Sequence, residues 1–294
     1  MEQSALRLLA TNTSLLVDGI AYGMVLFLIS VGLTITLGVM RVANLAHCGF
    51  AMVGGYVAIA LTAAGGLSFF AALPVAVAFV VALGFVLERT LYRWVYDTSQ
   101  LGQILMTMGI VFVMVASINL LFGSSTQTLT IPQWLAGTWE HAAFTLPVYR
   151  VFVILFSLAV GVALWAVLEF TVFGARLRAS VDNPRMARCI GIDVPRVFSI
   201  AFAAGCGLAA AGGIIGAQIL PLEPYYAFRF LVPVLMVISV GGLGSLQGSL
   251  CAALLLGVMD TFGRYYVPAA GAFVIYLIVV LVLLLRPQGL FSRA

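Results

Sequence analysis

In a chain that is 63% hydrophobic and only 8% charged, the polar residues set inside apolar sequence are the ones whose chemistry needs a reason. The run RVANLAHCGFAMVGGYVAI, from Arg41 to Ile59, places Asn44 and His47 between apolar segments and follows them with Gly49, Gly54 and Gly55. Three apart, Asn44 and His47 share a face if the run is helical. Two chemistries fit. In one, Asn44 hydrogen-bonds a neighbouring helix and the glycines let that helix come close. In the other, glycine permits a break in the helix, and the freed backbone groups join Asn44 and His47 in lining a polar pathway. A second stretch, ISVGGLGSLQGSLCAALLLG from Ile238 to Gly257, also sets a polar knot before small apolar residues. Interruptions placed early and late in a membrane chain point to a transport site.

A different kind of signal lies in FGARLRASVDNPRMARCIGIDVPRV, from Phe173 to Val197. Asn183 is suited to cap a helix, Pro184 to take its first position and Gly191 to end it, which predicts a helix over Pro184–Ile190. Met186 and Ile190 are four apart, and Arg185 and Arg188 three apart. A helix of two turns is marginal in water and needs something to pack against. One reading is a knob that docks into a partner. The other is a solvated loop whose arginines only orient the chain in a membrane.

The residues that are missing exclude several classes. All 14 basic residues are arginine, so there is no Walker-A lysine and no Schiff-base lysine. No HExxH or GxSxG motif appears, and no pair of carboxylates sits within one apolar segment, so no enzyme activity is expected. Cys48, Cys189, Cys206 and Cys251 show no paired spacing, which argues against a disulfide or a zinc site. Glu88 and Glu169 fall at segment ends, and Asp18 and Asp260 read as interfacial. A net charge of +4 does not point to nucleic acid.

The elements that must position these residues read as membrane-spanning helices, since lipid offers no partner to open backbone. Eight apolar segments are legible: Leu15–Val39, Val42–Ala63, Leu67–Leu87, Leu101–Phe122, Val151–Phe170, Val197–Leu220, Phe230–Met259 and Ala269–Leu285. Placing Arg41, Arg89, Arg93, Arg176, Arg178, Arg185, Arg188, Arg196, Arg286 and Arg293 in the cytoplasm satisfies the positive-inside rule, with the N-terminus outside and the C-terminus inside. That parity needs an odd number of crossings. A break of the long seventh segment at GGLGSLQG, into two short half-spans over about Phe230–Val240 and Leu246–Asp260, supplies it. The connection Gly123–Tyr149 is then external, with Trp134 and Trp139 suited to a membrane interface. No cleavable signal peptide is expected. The fold class is an all-α, polytopic transmembrane bundle of eight to nine spans with discontinuous glycine-rich segments. It forms one domain over residues 1–294, with a cytoplasmic loop at about 171–196.

These stretches resemble the integral-membrane permease of branched-chain amino acid ABC importers, the H-type subunit. The resemblance covers about residues 15 to 292. It rests on GLTITLGVMRVANLAHCGFAMVGGY, GARLRASVDNPRMARCIGIDVPRV, VGGLGSLQGSLCAALLLG and LLLRPQGLF, in that order; Cys48 stands where the family usually has glycine. The resemblance implies a second homologous permease subunit, two cytoplasmic ATPase subunits that carry ATP and Mg, a periplasmic solute-binding protein, and no cofactor on this chain. It implies a bacterial inner-membrane location. It places Arg176, Arg178, Asp182, Asn183, Arg185, Ala187, Arg188 and Gly191 in an ATPase-contact loop. Asn44, His47, Gly54 and Gly55 fall in a first pathway motif, and Gly241, Gly242, Gly244, Ser245 and Gly248 in a second. Branched-chain amino acids are the default solute by resemblance. Urea, short amides and aromatic carboxylates are the alternatives within the family, and a channel or carrier working without an ATPase is the alternative outside it.

Overall fold

A computed structural model describes residues 2–40, 44–94, 98–141 and 144–291. Arg41 and Arg293 lie outside them. Among the described residues, six helices are long and apolar enough to cross a membrane. These are α1 (Glu2–Met40), α3 (Phe69–Thr90), α4 (Gln100–Phe122), α5 (Val148–Phe170), α8 (Val194–Gly216) and α10 (Leu246–Tyr266). Shorter apolar helices are α2 (His47–Ala63), α9 (Tyr226–Gly241) and α11 (Gly271–Leu285). The protein is a multi-pass helical membrane protein.

At the centre of the bundle, α1 between Gly19 and Thr36 and α8 along most of its length are buried, whereas α5 buries only Tyr149, Val153 and Ser157. Lipid tails are as apolar as leucine, so helices in a membrane associate by close packing rather than by the hydrophobic effect. Small residues provide that closeness here. Gly32 of α1 and Gly205 of α8 meet backbone to backbone, Gly54 of α2 meets Ala210 of α8, and Gly23 of α1 meets Ala253 and Leu254 of α10.

Between α9 and α10 the chain turns at residues 242–245. Gly242 (φ 95°) and Gly244 (φ 77°) occupy the left-handed region that glycine enters without strain. Ser245 caps α10 by accepting from the Gly248 N–H at 3.0 Å. The two helices then pack through Gly241 and Gly248. The tail closes this corner, where the Leu290 N–H donates to the Val240 carbonyl at 2.7 Å.

Three expectations need correction. The chain is not purely helical: β1 (Thr138–His141) and β2 (Phe144–Pro147) form an antiparallel hairpin between α4 and α5. Its β-branched and aromatic residues, Thr138, Trp139, Phe144 and Thr145, favour extended backbone. The segment after the α9–α10 turn is no half-span. Helix α10 runs on to Tyr266, because Arg264 pairs with Asp260 one turn earlier at 2.8 Å and carries the helix past the apolar run. Nor is the arginine-rich connection a loop with one helix. It holds α6 (Val172–Asp182) and α7 (Pro184–Cys189).

Candidate functional site

Helix α2 begins at His47 rather than near Val42, so Asn44 and His47 do not share a helical face. Asn44 occupies the turn before it. Its Oδ1 accepts from the Ala46 N–H at 3.1 Å, which closes a local turn in place of a helical one, and from the Tyr92 hydroxyl at 2.8 Å. His47 Nε2 lies 2.9 Å from the Ile29 carbonyl. A carbonyl only accepts, so Nε2 carries the proton and Nδ1 is left as an acceptor.

Ile29 stands ten residues before Val39 in the apolar run of α1, about 15 Å along the helix axis. The N-terminus of α2, with its positive dipole end, therefore starts deep in the apolar layer. Asn44 (2% exposed) and His47 (0%) are both buried. Asn44 Nδ2, His47 Nδ1 and the Tyr226 hydroxyl have no hydrogen-bond partner among the described residues. An unsatisfied buried polar group costs about 1–3 kcal/mol.

Every glycine singled out in the first motif packs against a neighbour. A Cβ on Gly54 would lie 2.8 Å from Ala210 Cα, and one on Gly55 2.7 Å from the Leu222 side chain. In the second motif Gly241 faces Gly248, and Gly244 lies against Gly38 near the end of α1. The two motifs are joined through α1, since Ile29 meets His47 and Gly38 meets Gly244. They stand at different depths, about 14 Å apart along that helix.

Helix α7 forms as its residues predict, one residue shorter. Asn183 Oδ1 accepts from the Met186 N–H at 3.0 Å, and Pro184 follows at the first position. At the other end the Ile192 N–H donates to the Ala187 carbonyl and the Gly191 N–H to the Arg188 carbonyl, both at 3.0 Å. Gly191 has φ 85°. This pair of bonds is a Schellman closure, which requires a left-handed residue at that point. Ala187 points inward (2% exposed), while Met186 and Ile190 stand out at 60% and 69%. Arg185 and Arg188 are exposed beside them.

Helix α6 supports this knob. Thr171 Oγ1 accepts from the Gly174 N–H at 3.3 Å, and Leu177 packs on Val197 and Ala201 of α8. Arg176, Arg178 and Asp182 remain exposed, and Arg178 reaches back to the Leu168 carbonyl. Sequence reading missed α6, Tyr92, Tyr226 and Leu222. A Thr-x-x-Gly start was the only signal for α6, and nothing in TLYRWVY distinguishes a buried Tyr92 from an interfacial aromatic.

Residues 15–284 match the model of a family described as branched-chain amino acid transport system / permease component. The chain belongs to that family. As members go, it is 26% identical to the high-affinity branched-chain amino acid transport system permease protein LivH of Escherichia coli strain K12, with 94% of each chain covered. It is also 26% identical to the corresponding permease protein BraD of Pseudomonas aeruginosa, over 95% of each. A probable LivH of Methanocaldococcus jannaschii is 25% identical over 94% of this chain and 91% of that one. Among solved structures, PsaBC from Streptococcus pneumoniae in complex with Fab has a TM-score of 0.44 at 13% identity, covering 94% of this chain and 89% of that chain. The region matched to the permease family contains the α2 start, α6, α7 and the α9–α10 corner together.

Proposed function

We propose that this permease is the membrane-spanning subunit of an ATP-driven importer that brings branched-chain or related amino acids into the cytoplasm. The observation that carries the coupling to ATP is α7, a capped six-residue helix that turns one small residue inward and presents Met186, Ile190 and two guanidiniums outward. An isolated helix of that length is not stable for its own sake. Without a Walker-A lysine this chain has no hydrolysis of its own to drive, so ATP and Mg belong to two cytoplasmic ATPase subunits that receive α7. A second, homologous permease completes the pathway, and a periplasmic binding protein delivers the solute. The nine apolar helices among the described residues are read as nine crossings in one domain, residues 1–294, with the N-terminus periplasmic and the C-terminus cytoplasmic in a bacterial inner membrane. That arrangement puts the α6–α7 arginines inside.

The α2 start is the solute-facing element in this reading. It is a helix N-terminus at mid-depth with unsatisfied polar atoms beside it, suited to the carboxylate of an amino acid. The close glycine pairs at Gly54 and Gly241–Gly248 let α2 and α10 shift against their neighbours as access alternates. His47→Ala is expected to lower uptake about tenfold or more, with ATPase assembly intact. Uptake that stays normal from about pH 5.5 to 8 would return His47 to the packing residues.

The first test is to extract the tagged chain gently from its own membrane and identify what accompanies it. Two P-loop ATPases and a similar permease are expected. A chain that emerges alone, and transports solute when reconstituted alone, overturns the importer.

A further inference from the structure

Where α3 ends and α8 begins, the surface encloses a cleft of about 580 Å³. Four arginines from separate elements line it: Arg89 at the end of α3, whose guanidinium lies over the Phe85 ring, Arg93 in the following 3-10 turn (Tyr92–Trp94), Arg188 on α7 and Arg196 on α8. Two carboxylates share the cleft, and both are engaged. Glu88, buried in the wall, accepts from the Ser199 hydroxyl, and Asp193 caps α8 while pairing with Arg196 at 2.8 Å. Among the described residues Arg93 and Arg188 have no carboxylate partner. The cleft therefore holds an excess of positive charge in a partly enclosed space, which suits a phosphate ester.

What continues from the cleft narrows the ligand. On α3, Val75, Phe79 and Val86 are 47%, 51% and 54% exposed. At helical spacing they form one outward stripe, and Arg89 stands three residues after Val86 on the same face. Ile200 of α8 is likewise 49% exposed. An apolar stripe about 16 Å long, close to the depth of one leaflet, that ends at a cleft lined by four arginines has the outline of a phospholipid, acyl chains along α3 and phosphate in the cleft.

We infer that the Arg89–Arg93–Arg188–Arg196 cleft is a binding site for the phosphate headgroup of an anionic phospholipid from the adjoining leaflet. The bound headgroup bridges α3 and α7, and so steadies the knob from the membrane side.

The test uses the full-length permease in nanodiscs of phosphatidylcholine alone and of phosphatidylcholine mixed with phosphatidylglycerol. Phosphatidylglycerol is expected to raise Tm by about 3 °C and to stay bound in native mass spectrometry. Arg89→Gln with Arg93→Gln should lose both effects, Arg89→Lys with Arg93→Lys should keep most of the Tm shift, and Arg286→Gln, outside the cleft, should behave as wild type. If the double glutamine variant does not fold, Arg93→Gln alone, at an exposed position, is read the same way. Equal lipid retention and an equal Tm shift in the glutamine variant overturn the site. A Tm rise given by inorganic phosphate in phosphatidylcholine discs, as large as that from phosphatidylglycerol, makes it a site for a soluble anion and overturns the lipid.

Discussion

Reversing both charges on α7, Arg185→Glu with Arg188→Glu, is expected to abolish solute-stimulated ATP hydrolysis while the permease itself stays folded. Both side chains are exposed, and neither forms an ion pair among the described residues. Their removal therefore costs this chain little, and in phosphatidylcholine alone, where no anionic headgroup occupies the cleft that Arg188 lines, Tm should move by less than about 2 °C. The partner interface responds differently. Truncating one member of a buried charge pair at an interface costs about 2–5 kcal/mol, and a reversed charge adds repulsion. Two reversals should then weaken ATPase binding by about a thousandfold or more. Asn183→Ala is the graded comparison. It removes the cap worth about 1 kcal/mol and should loosen α7 without repelling the partner, giving a partial loss. Copurification and ATPase rate measure all three. Normal assembly and stimulation in the double variant would mean that α7 is not the docking element.

Gly54→Leu is expected to prevent assembly of the bundle. A Cβ at this position would lie 2.6 Å from Ala210 Cβ and 2.8 Å from Ala210 Cα on α8. The obstacle is backbone, so a rotamer change cannot relieve it, and α2 and α8 must separate. Gly54→Ala should cost about 1–3 kcal/mol, the usual range for overpacking, and leucine considerably more. Gly109 on α4 provides the opposite case, since a Cβ there meets nothing within 4 Å. Gly109→Ala should raise stability by about 0.5–1 kcal/mol through helix propensity. Monodispersity after detergent extraction and thermal unfolding separate the three variants. A Gly54→Leu protein as stable as wild type would show that α2 and α8 do not meet in this way.

How much was legible differs from element to element. Helix α7 could be read almost whole, because Asn183, Pro184 and Gly191 act through local backbone geometry that three residue types nearly dictate. The turn after Gly241 was legible for the same reason, through Gly242 and Gly244. Helix α6 was not, since its evidence is an amphipathic face whose partner, Val197 and Ala201, lies on another helix. The polar stretch was half legible. Asn44 and His47 were recognisable as out of place, but their partners Tyr92 and Ile29 are 48 and 18 residues away.

Composition and neighbours within a turn were enough for the membrane solvent and the local caps, because neither depends on which helix packs on which; the eight apolar segments did not anticipate the six long and three shorter apolar helices found among the described residues. Only the tertiary structure decided that α2 starts at the depth of Ile29, that Gly54 and Gly241 press on the backbones of other helices, and that four arginines scattered from Arg89 to Arg196 meet in one cleft. Those are long-range facts. In a membrane they arise from which small residues let two helices approach, and a single chain read in order does not state which helix answers which.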